Sequence, residues 1–269
     1  MREEAFREGE LEVPLLRSSL IPGTFRHGFT TRAGGVSGGV FASLNLGGRW
    51  GDDDAAVAEN RRRAQRAAGG PIAIATQVHG VNVVRVGAGD DRGAIARVPA
   101  DGLCTDVANS PVGVYVADCI PVLMADVRTG AVAAVHAGWR GTVAGVVPAA
   151  VARMSEAFGT RPGDLRVSLG PAIGVCCFEV GEEVVDAASA VVSDAVAKGV
   201  VVRGLKKPHV DLKRLNVILL ERAGVPPAYV DAGPECTSCD RQRFFSYRRD
   251  GGRTGQMMGF IAVRATGVA

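Results

Sequence analysis

The chain has 269 residues, with 31 Lys and Arg against 28 Asp and Glu, which gives a formal net charge of +3. An apolar fraction of 47% with charges of both signs excludes a disordered chain, and the small net charge with 5% aromatic residues argues against a nucleic-acid-binding surface. No apolar run approaches the ~20 residues that cross a bilayer, and Met1–Glu4 lacks the features of a signal peptide. We therefore expect a cytoplasmic protein without a membrane partner, in which the six Cys serve as thiols, ligands or nucleophiles.

Apolar periodicity and capping residues predict the following elements in chain order. They are a first strand ending the stretch 1–20, a helix at 53–68, strands at 72–75, 81–86, 112–117, 120–125 and 131–135, helices at 142–158, 182–192 and 211–223, and a closing strand at 256–263. The strands between 112 and 135 are apolar almost throughout, which indicates that both of their faces are covered. Because strands and helices do not alternate regularly, the pattern favours an α+β fold with mixed sheets.

A glycine-rich loop, Thr31–Gly39, precedes the first predicted helix. Glycine allows positive φ and leaves backbone amides open, so the guanidinium of Arg32 and these amides suit a phosphate or a carboxylate. A surface turn with a solvated Arg32 is an equally good interpretation of the same residues.

Three polar side chains, His79, Cys119 and His136, lie at the ends of apolar strands. If the strands on either side of Arg128 and Thr129 form a hairpin with those two residues as its turn, Cys119 faces Gly138 and His136 faces Pro121. Cys119 and His136 then share one face as diagonal neighbours, roughly 7–8 Å apart at the backbone. A slip of one residue in the pairing would put them on opposite faces.

Two imidazoles and one thiolate form a suitable ligand set for a catalytic zinc ion, which keeps three protein ligands and one open position. A metal-free mechanism would instead use Cys119 as a nucleophile with His136 as its base. In either case these three residues are the predicted catalytic centre.

A second cysteine pattern is Cys236–Cys239, which has the spacing CxxC. Zinc ribbons need a second pair at a suitable spacing, and the remaining candidates, Cys176 and Cys177, are adjacent. We therefore interpret these residues as structural thiols or an incidental disulfide.

The motifs along the chain together resemble one family, the YfiH-like proteins, which are known as laccase-domain or polyphenol oxidase proteins and as purine nucleoside phosphorylases. The resemblance covers residues 24–262. The segments that carry it are Thr31–Ser37, Ser43–Gly47, Glu59–Arg61, Gln77–Gly80, Ala117–Leu123, His136–Gly141, Gly170–Gly174 and Phe244–Arg249.

The resemblance implies a layered α/β/β/α domain of the cysteine-hydrolase type, here a single domain over residues 1–269, with zinc held by His79, Cys119 and His136. It also implies phosphorolysis of adenosine, inosine and methylthioadenosine, together with deamination of adenosine. Arg32, Asn45 and Arg61 match family positions near the pocket, and the resemblance implies that they bind substrate or phosphate.

Different functions remain open at this point. A copper-dependent polyphenol oxidase is the family's older description, but four His in total are too few for a multicopper cluster, so at most one copper ion is expected in place of zinc. A metal-free cysteine hydrolase and a non-enzymatic nucleoside-binding module are also compatible with the sequence. We expect small-molecule purine nucleosides and phosphate as partners, no nucleic acid, and a monomer.

Overall fold

The computed structural model describes residues 1–265 and contains two large β-sheets stacked face to face. The first sheet has the strand order β1 (Arg2–Glu8), β2 (Leu11–Arg17), β3 (Phe25–Thr30), β13 (Met257–Val263) and β6 (Val112–Val116). The second sheet has the order β12 (Val230–Ala232), β9 (Leu165–Leu169), β7 (Ile120–Asp126), β8 (Val132–Ala137), β5 (Gly102–Thr105) and β4 (Val83–Arg85). A short ribbon pairs β10 (Val201–Val202) with β11 (His209–Val210).

Helices cover the outer faces of both sheets. They are α1 (Asp54–Ala68), α3 (Trp139–Ala144), α4 (Val146–Phe158), α5 (Glu182–Val191) and α6 (Leu212–Arg222), with 3-10 turns at Gly39–Phe41, Pro162–Asp164 and Pro227–Tyr229. The short helix α2 (Arg92–Ala96) instead contributes Ile95 to the core between the sheets. Helix α1 packs on the first sheet, whereas α4, α5 and α6 contribute to the core on the outer face of the second. The predicted α+β fold with α/β/β/α layers is confirmed.

Strand β7 shows how the layers are built, because its side chains alternate between two cores. Val122 and Met124 pack toward the helices, whereas Leu123 and Ala125 pack between the two sheets, and all four are fully buried. This alternation follows from the two-residue period of a strand. A strand covered on both faces must be apolar throughout, as the sequence indicated.

The hairpin of β7 and β8 has the predicted register, in which Pro121 pairs with His136 and Ile120 with Ala137. The turn is longer than expected. The Asp126 amide donates to the Ala131 carbonyl, and the Asp126 carbonyl accepts from the Gly130 amide, so the loop comprises the four residues 127–130 rather than Arg128 and Thr129 alone. Its amides at Arg128 and Thr129 donate to the side chain of Asp126, which explains the wider turn.

Helix α1 begins and ends where its capping residues predict. The side chain of Asp53 accepts a hydrogen bond from the Ala56 amide, and Gly69 ends the helix with a φ of 84°. That left-handed conformation favours glycine at this position.

Three other predicted elements differ from the structure. The helix expected over 142–158 begins at Trp139 and is divided at Gly145, whose φ of 92° interrupts the helical backbone. Residues 1–20 contain two paired strands, and the stretch 72–75 contributes only an isolated bridge between Ala73 and Val112. Among residues 1–265, no helix has the length and apolar character needed to span a membrane.

Candidate metal centre

His79, Cys119 and His136 converge at one end of the second sheet. Cys119 directly precedes β7, His136 lies near the end of β8, and His79 lies in the loop before β4. Their potential ligand atoms all lie within 4.8 Å of one another, with 4.0 Å between Cys119 Sγ and His79 Nε2. The two imidazole rings meet edge to face with centroids 4.8 Å apart.

Gly138 provides the space in which these side chains meet. If the register of the hairpin is extended by one pair, Gly138 lies opposite Cys119. A Cβ atom placed on Gly138 would lie 2.8 Å from His79 Cδ2 and 3.0 Å from Cys119 Sγ. Both separations are shorter than van der Waals contact, so a side chain at this position would displace the candidate ligands. The geometry of the centre therefore requires glycine at position 138.

Asp101 supports the centre from behind, and no sequence pattern pointed to it. This fully buried carboxylate lies 2.8 Å from His136 Nδ1 and accepts hydrogen bonds from the backbone amides of His79 and Gly80. With Nδ1 directed at Asp101, the other ring nitrogen of His136 is free to face Cys119. A carboxylate in this position fixes the tautomer and ring orientation of a metal-binding histidine.

The electrostatic environment favours a charged pair in the absence of metal. Burial raises the pKa of the Cys119 thiol, but the adjacent His136 and His79 imidazoles outweigh that effect and lower it to about 6. Burial lowers the pKa of His136, but the Cys119 thiolate and Asp101 outweigh that effect and raise it to about 9. Cys119 is therefore a thiolate at neutral pH, which is the form that binds metal or attacks a substrate.

The candidate ligand His79 and the neighbour of Cys119, Asp118, have positive φ angles, which are uncommon for residues other than glycine. His79 has a φ of 61° and Asp118 has a φ of 88°. The interactions of Asp118 explain how its conformation is held, because its carboxylate accepts hydrogen bonds from Thr237 Oγ1, Ser246 Oγ and the Arg248 amide. Its position next to Cys119 would suit a general acid, but both of its oxygens anchor neighbouring loops.

The donor set fits a zinc ion with three protein ligands and one open position. His136 is buried, Cys119 is half-buried and His79 is exposed, so the centre opens to solvent on the His79 side. The remaining two histidines are engaged elsewhere: His27 accepts a hydrogen bond from the Ser18 amide, and His209 Nδ1 lies 2.6 Å from the Val175 carbonyl. Within the part of the chain that the structure describes, histidines therefore form no multicopper cluster.

Arg32 and Arg61 lie outside the three-residue centre, and contacts with aromatic side chains connect them only indirectly to its surroundings. Arg32 stacks on Phe245, the neighbour of the Ser246 that binds Asp118, with 4.4 Å between its guanidinium carbon and the ring centroid. The guanidinium carbon of Arg61 lies 5.5 Å from the centroid of the Tyr115 ring. No carboxylate among residues 1–265 lies within ion-pair distance of either guanidinium.

Asn45 has a different environment. It is buried, its amide nitrogen donates to the Gly47 carbonyl and to Asp52, and its oxygen accepts from the amides of Gly47 and Gln256. Every hydrogen-bonding position of this side chain therefore has a partner within the protein.

The glycine-rich loop is also tied into the fold. The amides of Gly35, Val36 and Ser37 donate to Ser43 Oγ, Asn60 Oδ1 and the Ser43 carbonyl, respectively. These three amides cannot bind an anion, because they already donate hydrogen bonds to residues between 43 and 60.

Comparisons with known proteins identify the family of the chain. Residues 26–264 match the family described as multi-copper polyphenol oxidoreductase laccase. The chain is 40% identical over 258 residues to a protein named purine nucleoside phosphorylase from Deinococcus radiodurans, with 93% of each chain covered. It is 38% identical over 246 residues to purine nucleoside phosphorylase YlmD from Geobacillus stearothermophilus, with 88% of this chain and 89% of that protein covered.

Solved structures show the same fold. The crystal structure of the hypothetical protein YfiH from Bacillus licheniformis matches with a TM-score of 0.86 and 32% identity, covering 96% of this chain and 99% of that chain. The crystal structure of YlmD from Geobacillus stearothermophilus matches with a TM-score of 0.87 and 35% identity, covering 98% of this chain and all of that chain. The chain thus belongs to the laccase-domain family of YfiH- and YlmD-like proteins.

Proposed function

We propose that this protein is a zinc-dependent purine nucleoside phosphorylase that acts on adenosine, inosine and methylthioadenosine. The observation that carries the proposal is the convergence of His79, Cys119 and His136 around the space left by Gly138, open to solvent on one side. The names of the relatives support purine nucleosides and phosphate as substrates.

His79, Cys119 and His136 would hold the zinc ion. When bound, zinc supplies Lewis-acid polarisation of an oxygen and lowers the pKa of a bound water. Asp101 keeps the His136 ring oriented and fixes the loop of His79 through two backbone amides. The protein's own contribution is thus a preorganised set of ligands that does not need to rearrange during the reaction.

In phosphorolysis, a phosphate oxygen forms a bond to C1′ of the ribose while the bond from C1′ to the purine nitrogen breaks. The electron pair of that bond leaves with the purine, which takes up a proton, and the products are the free base and ribose 1-phosphate. Because the attacking phosphate is an anion, the residues that bind it must supply positive charge and N–H donors.

Arg32 and Arg61 are the residues that we assign to substrate or phosphate. The Arg32 guanidinium is half-buried, and burial and the nearby Arg249 lower its pKa, whereas Asp250 raises it. It donates to the backbone carbonyls of Ala42 and Arg241. Arg61 donates to the Leu46 carbonyl and stacks on Tyr115, whose backbone binds the side chain of Gln77 in the His79 loop. The third predicted residue, Asn45, precedes Leu46, and its side chain already has protein partners at every position, so we assign it to shaping this region and not to direct contact with substrate.

The direct test is incubation of the zinc-loaded protein with adenosine, with and without phosphate, and quantification of adenine, hypoxanthine, ribose 1-phosphate and inosine. Because any inosine formed is itself phosphorolysed to hypoxanthine, the proposal predicts ribose 1-phosphate equal to the sum of adenine and hypoxanthine, and only when phosphate is present. Arg32→Gln and Arg61→Gln are expected to raise the KM for phosphate, with the exposed Arg2→Gln as the control. Absence of both products from fully metallated protein would refute the phosphorylase assignment.

Deamination of adenosine is the second activity that we propose for the same centre. Water replaces the 6-amino group, so inosine and ammonia form without phosphate. Inosine release in phosphate-free buffer, lost in His79→Ala, is the expected result.

Two competing functions have their own supporting observations. The family description favours oxidation of phenols by a copper ion, which the same three ligands accept. The Cys119 thiolate beside His136 favours a metal-free hydrolase. Metal content and activity, measured on one preparation, distinguish these two functions. Phenol oxidation that requires copper supports the oxidase. Activity that survives chelation but is lost on thiol alkylation supports the metal-free hydrolase.

A further inference from the structure

Four cysteine side chains outside the centre lie close together. The sulfur atoms of Cys176, Cys177, Cys236 and Cys239 all lie within 4.8 Å of one another. Cys239 Sγ is 3.5 Å from Cys176 Sγ and 3.4 Å from Cys177 Sγ. Sulfur atoms about 2.3 Å from a tetrahedral zinc ion would be about 3.8 Å apart, whereas those of a disulfide would be about 2.05 Å apart.

Two tight turns bring these residues together. In the first, the Cys177 amide donates to the Gly174 carbonyl, and in the second the Asp240 amide donates to the Cys236 carbonyl. A bridge between Ala172 and Cys236 holds the turns side by side. The adjacency of Cys176 and Cys177 therefore does not prevent convergence, in contrast to the expectation from sequence.

The backbone is also arranged around the sulfur atoms. The Gly174 amide donates to Cys236 Sγ over 3.2 Å, an interaction that stabilises a ligating thiolate. A Cβ atom on Gly174 would lie 3.2 Å from Cys176 Sγ and 3.4 Å from Cys236 Sγ. This turn approaches the sulfur cluster as closely as a glycine allows.

We propose that Cys176, Cys177, Cys236 and Cys239 bind a second zinc ion in a closed four-thiolate site. Four protein ligands complete a tetrahedron and leave no position for water or substrate, so the site is structural rather than catalytic. Thiolate ligands exclude magnesium and calcium. The ion joins the turn at 174–177 to the turn at 236–239.

Neighbouring contacts connect this site to the rest of the molecule. Arg248 and Arg249 donate to backbone carbonyls of the two turns, at Cys177 and Thr237 respectively. Thr237, which lies between the ligands of the second turn, binds Asp118, the neighbour of Cys119. A zinc ion here would thus steady the loop that carries a ligand of the first centre.

The test is the zinc content per chain of protein purified under reducing conditions. We expect two zinc ions in the unaltered protein, one in Cys236→Ser/Cys239→Ser and two in the control Cys104→Ala, which removes a buried thiol from the core. The same zinc content in the double variant as in the unaltered protein would overturn the proposal. So would a disulfide among the four residues, found by mass spectrometry of protein that holds one zinc ion.

A second measurement applies if the double variant does not fold. Cys119→Ala weakens the first centre but leaves the four thiols, and after metal removal it is loaded with cobalt alone. Charge-transfer absorption of the intensity expected for four thiolates on one cobalt ion supports the proposal, and absorption of one thiolate or none contradicts it. Neither measurement uses catalysis, so failure of the proposed phosphorylase activity leaves this result interpretable.

Discussion

The protein gathers cysteine and histidine side chains in two places, and the two places are built differently. His79, Cys119 and His136 come from three separated segments at the end of a buried sheet, and Asp101 holds two of those segments from behind. The four cysteines come from two short turns near the surface, and each turn supplies two sulfur atoms. Three ligands and an open position are typical of a catalytic metal site, whereas four protein ligands are typical of a structural one.

In both places the supporting structure matters as much as the number of ligands. The first centre depends on strand register and on a glycine that leaves room, so its geometry is imposed by the fold. The four-cysteine site depends on two local turns, which a bound metal ion would hold together. Disturbing the support of the first centre should therefore affect metal binding there and spare the four-cysteine site.

The largest effect is expected for Gly138→Ala. The added methyl group would lie against His79 Cδ2 and Cys119 Sγ, so the ligands must move by a sizeable fraction of an ångström. Misplacement on that scale costs on the order of 10²-fold in activity. Gly163→Ala is the control, because its Cβ would meet nothing within 4 Å. Unchanged turnover in Gly138→Ala would show that the space beside Gly138 is not needed.

Asp101→Asn tests the support behind His136. Asn keeps only one acceptor oxygen, and its amide nitrogen donates instead of accepting, so part of the hydrogen bonds that the carboxylate receives from His136 and the 78–80 backbone is lost. Loss of such a partner weakens metal binding by about 10–100-fold. Zinc affinity measured by competition with a chromophoric chelator is the readout. Asp90→Asn, in which an exposed carboxylate accepts from the Gly87 amide, should leave that affinity unchanged.

A graded effect on zinc affinity is expected from pH. Zinc binding requires neutral His136, whose pKa is raised to about 9, and the Cys119 thiolate, whose pKa is lowered to about 6. Between pH 6 and 9 binding therefore releases one proton from His136, and zinc affinity should rise about tenfold per pH unit. Below pH 6 the dependence steepens, because the thiolate also takes up a proton.

This dependence is measured by calorimetry in Cys236→Ser/Cys239→Ser, so that only the first centre is titrated. Buffers with different ionisation enthalpies report the number of protons released. An affinity that does not change between pH 6 and 9 would contradict the assigned protonation of His136.

The smallest effect is expected for Thr237→Val, which removes the hydroxyl that joins the four-cysteine turn to Asp118. A hydrogen bond to a charged group contributes about 1.5–3 kcal/mol, so a lower melting temperature and a few-fold loss of activity are expected. Ser238→Ala, in the same turn, is the control, because its hydroxyl makes no hydrogen bond within residues 1–265. Equal stability of the two variants would show that the Thr237 hydroxyl does not couple the four-cysteine turns to the loop of Cys119.

The hairpin that joins Cys119 to His136 was predictable because its strands are apolar on both faces and its turn is polar. Asp101 was not predictable, because a single carboxylate has no sequence pattern, and its partners come from the His79 loop and β8. The break at Gly145 was missed because the flanking residues continue a helical pattern through it. The convergence of Cys176 and Cys177 on Cys239 depends on turn geometry that spacing does not encode.

Strand β13 lies in the middle of the first sheet, between β3 and β6, although it follows every other strand along the chain. During synthesis the facing edges of β3 and β6 therefore stay unpaired until residues 257–263 leave the ribosome, and exposed edges invite aggregation. Since β6 leads through Ala117 and Asp118 to Cys119, this candidate ligand follows a strand whose sheet is complete only once the final strand has been added.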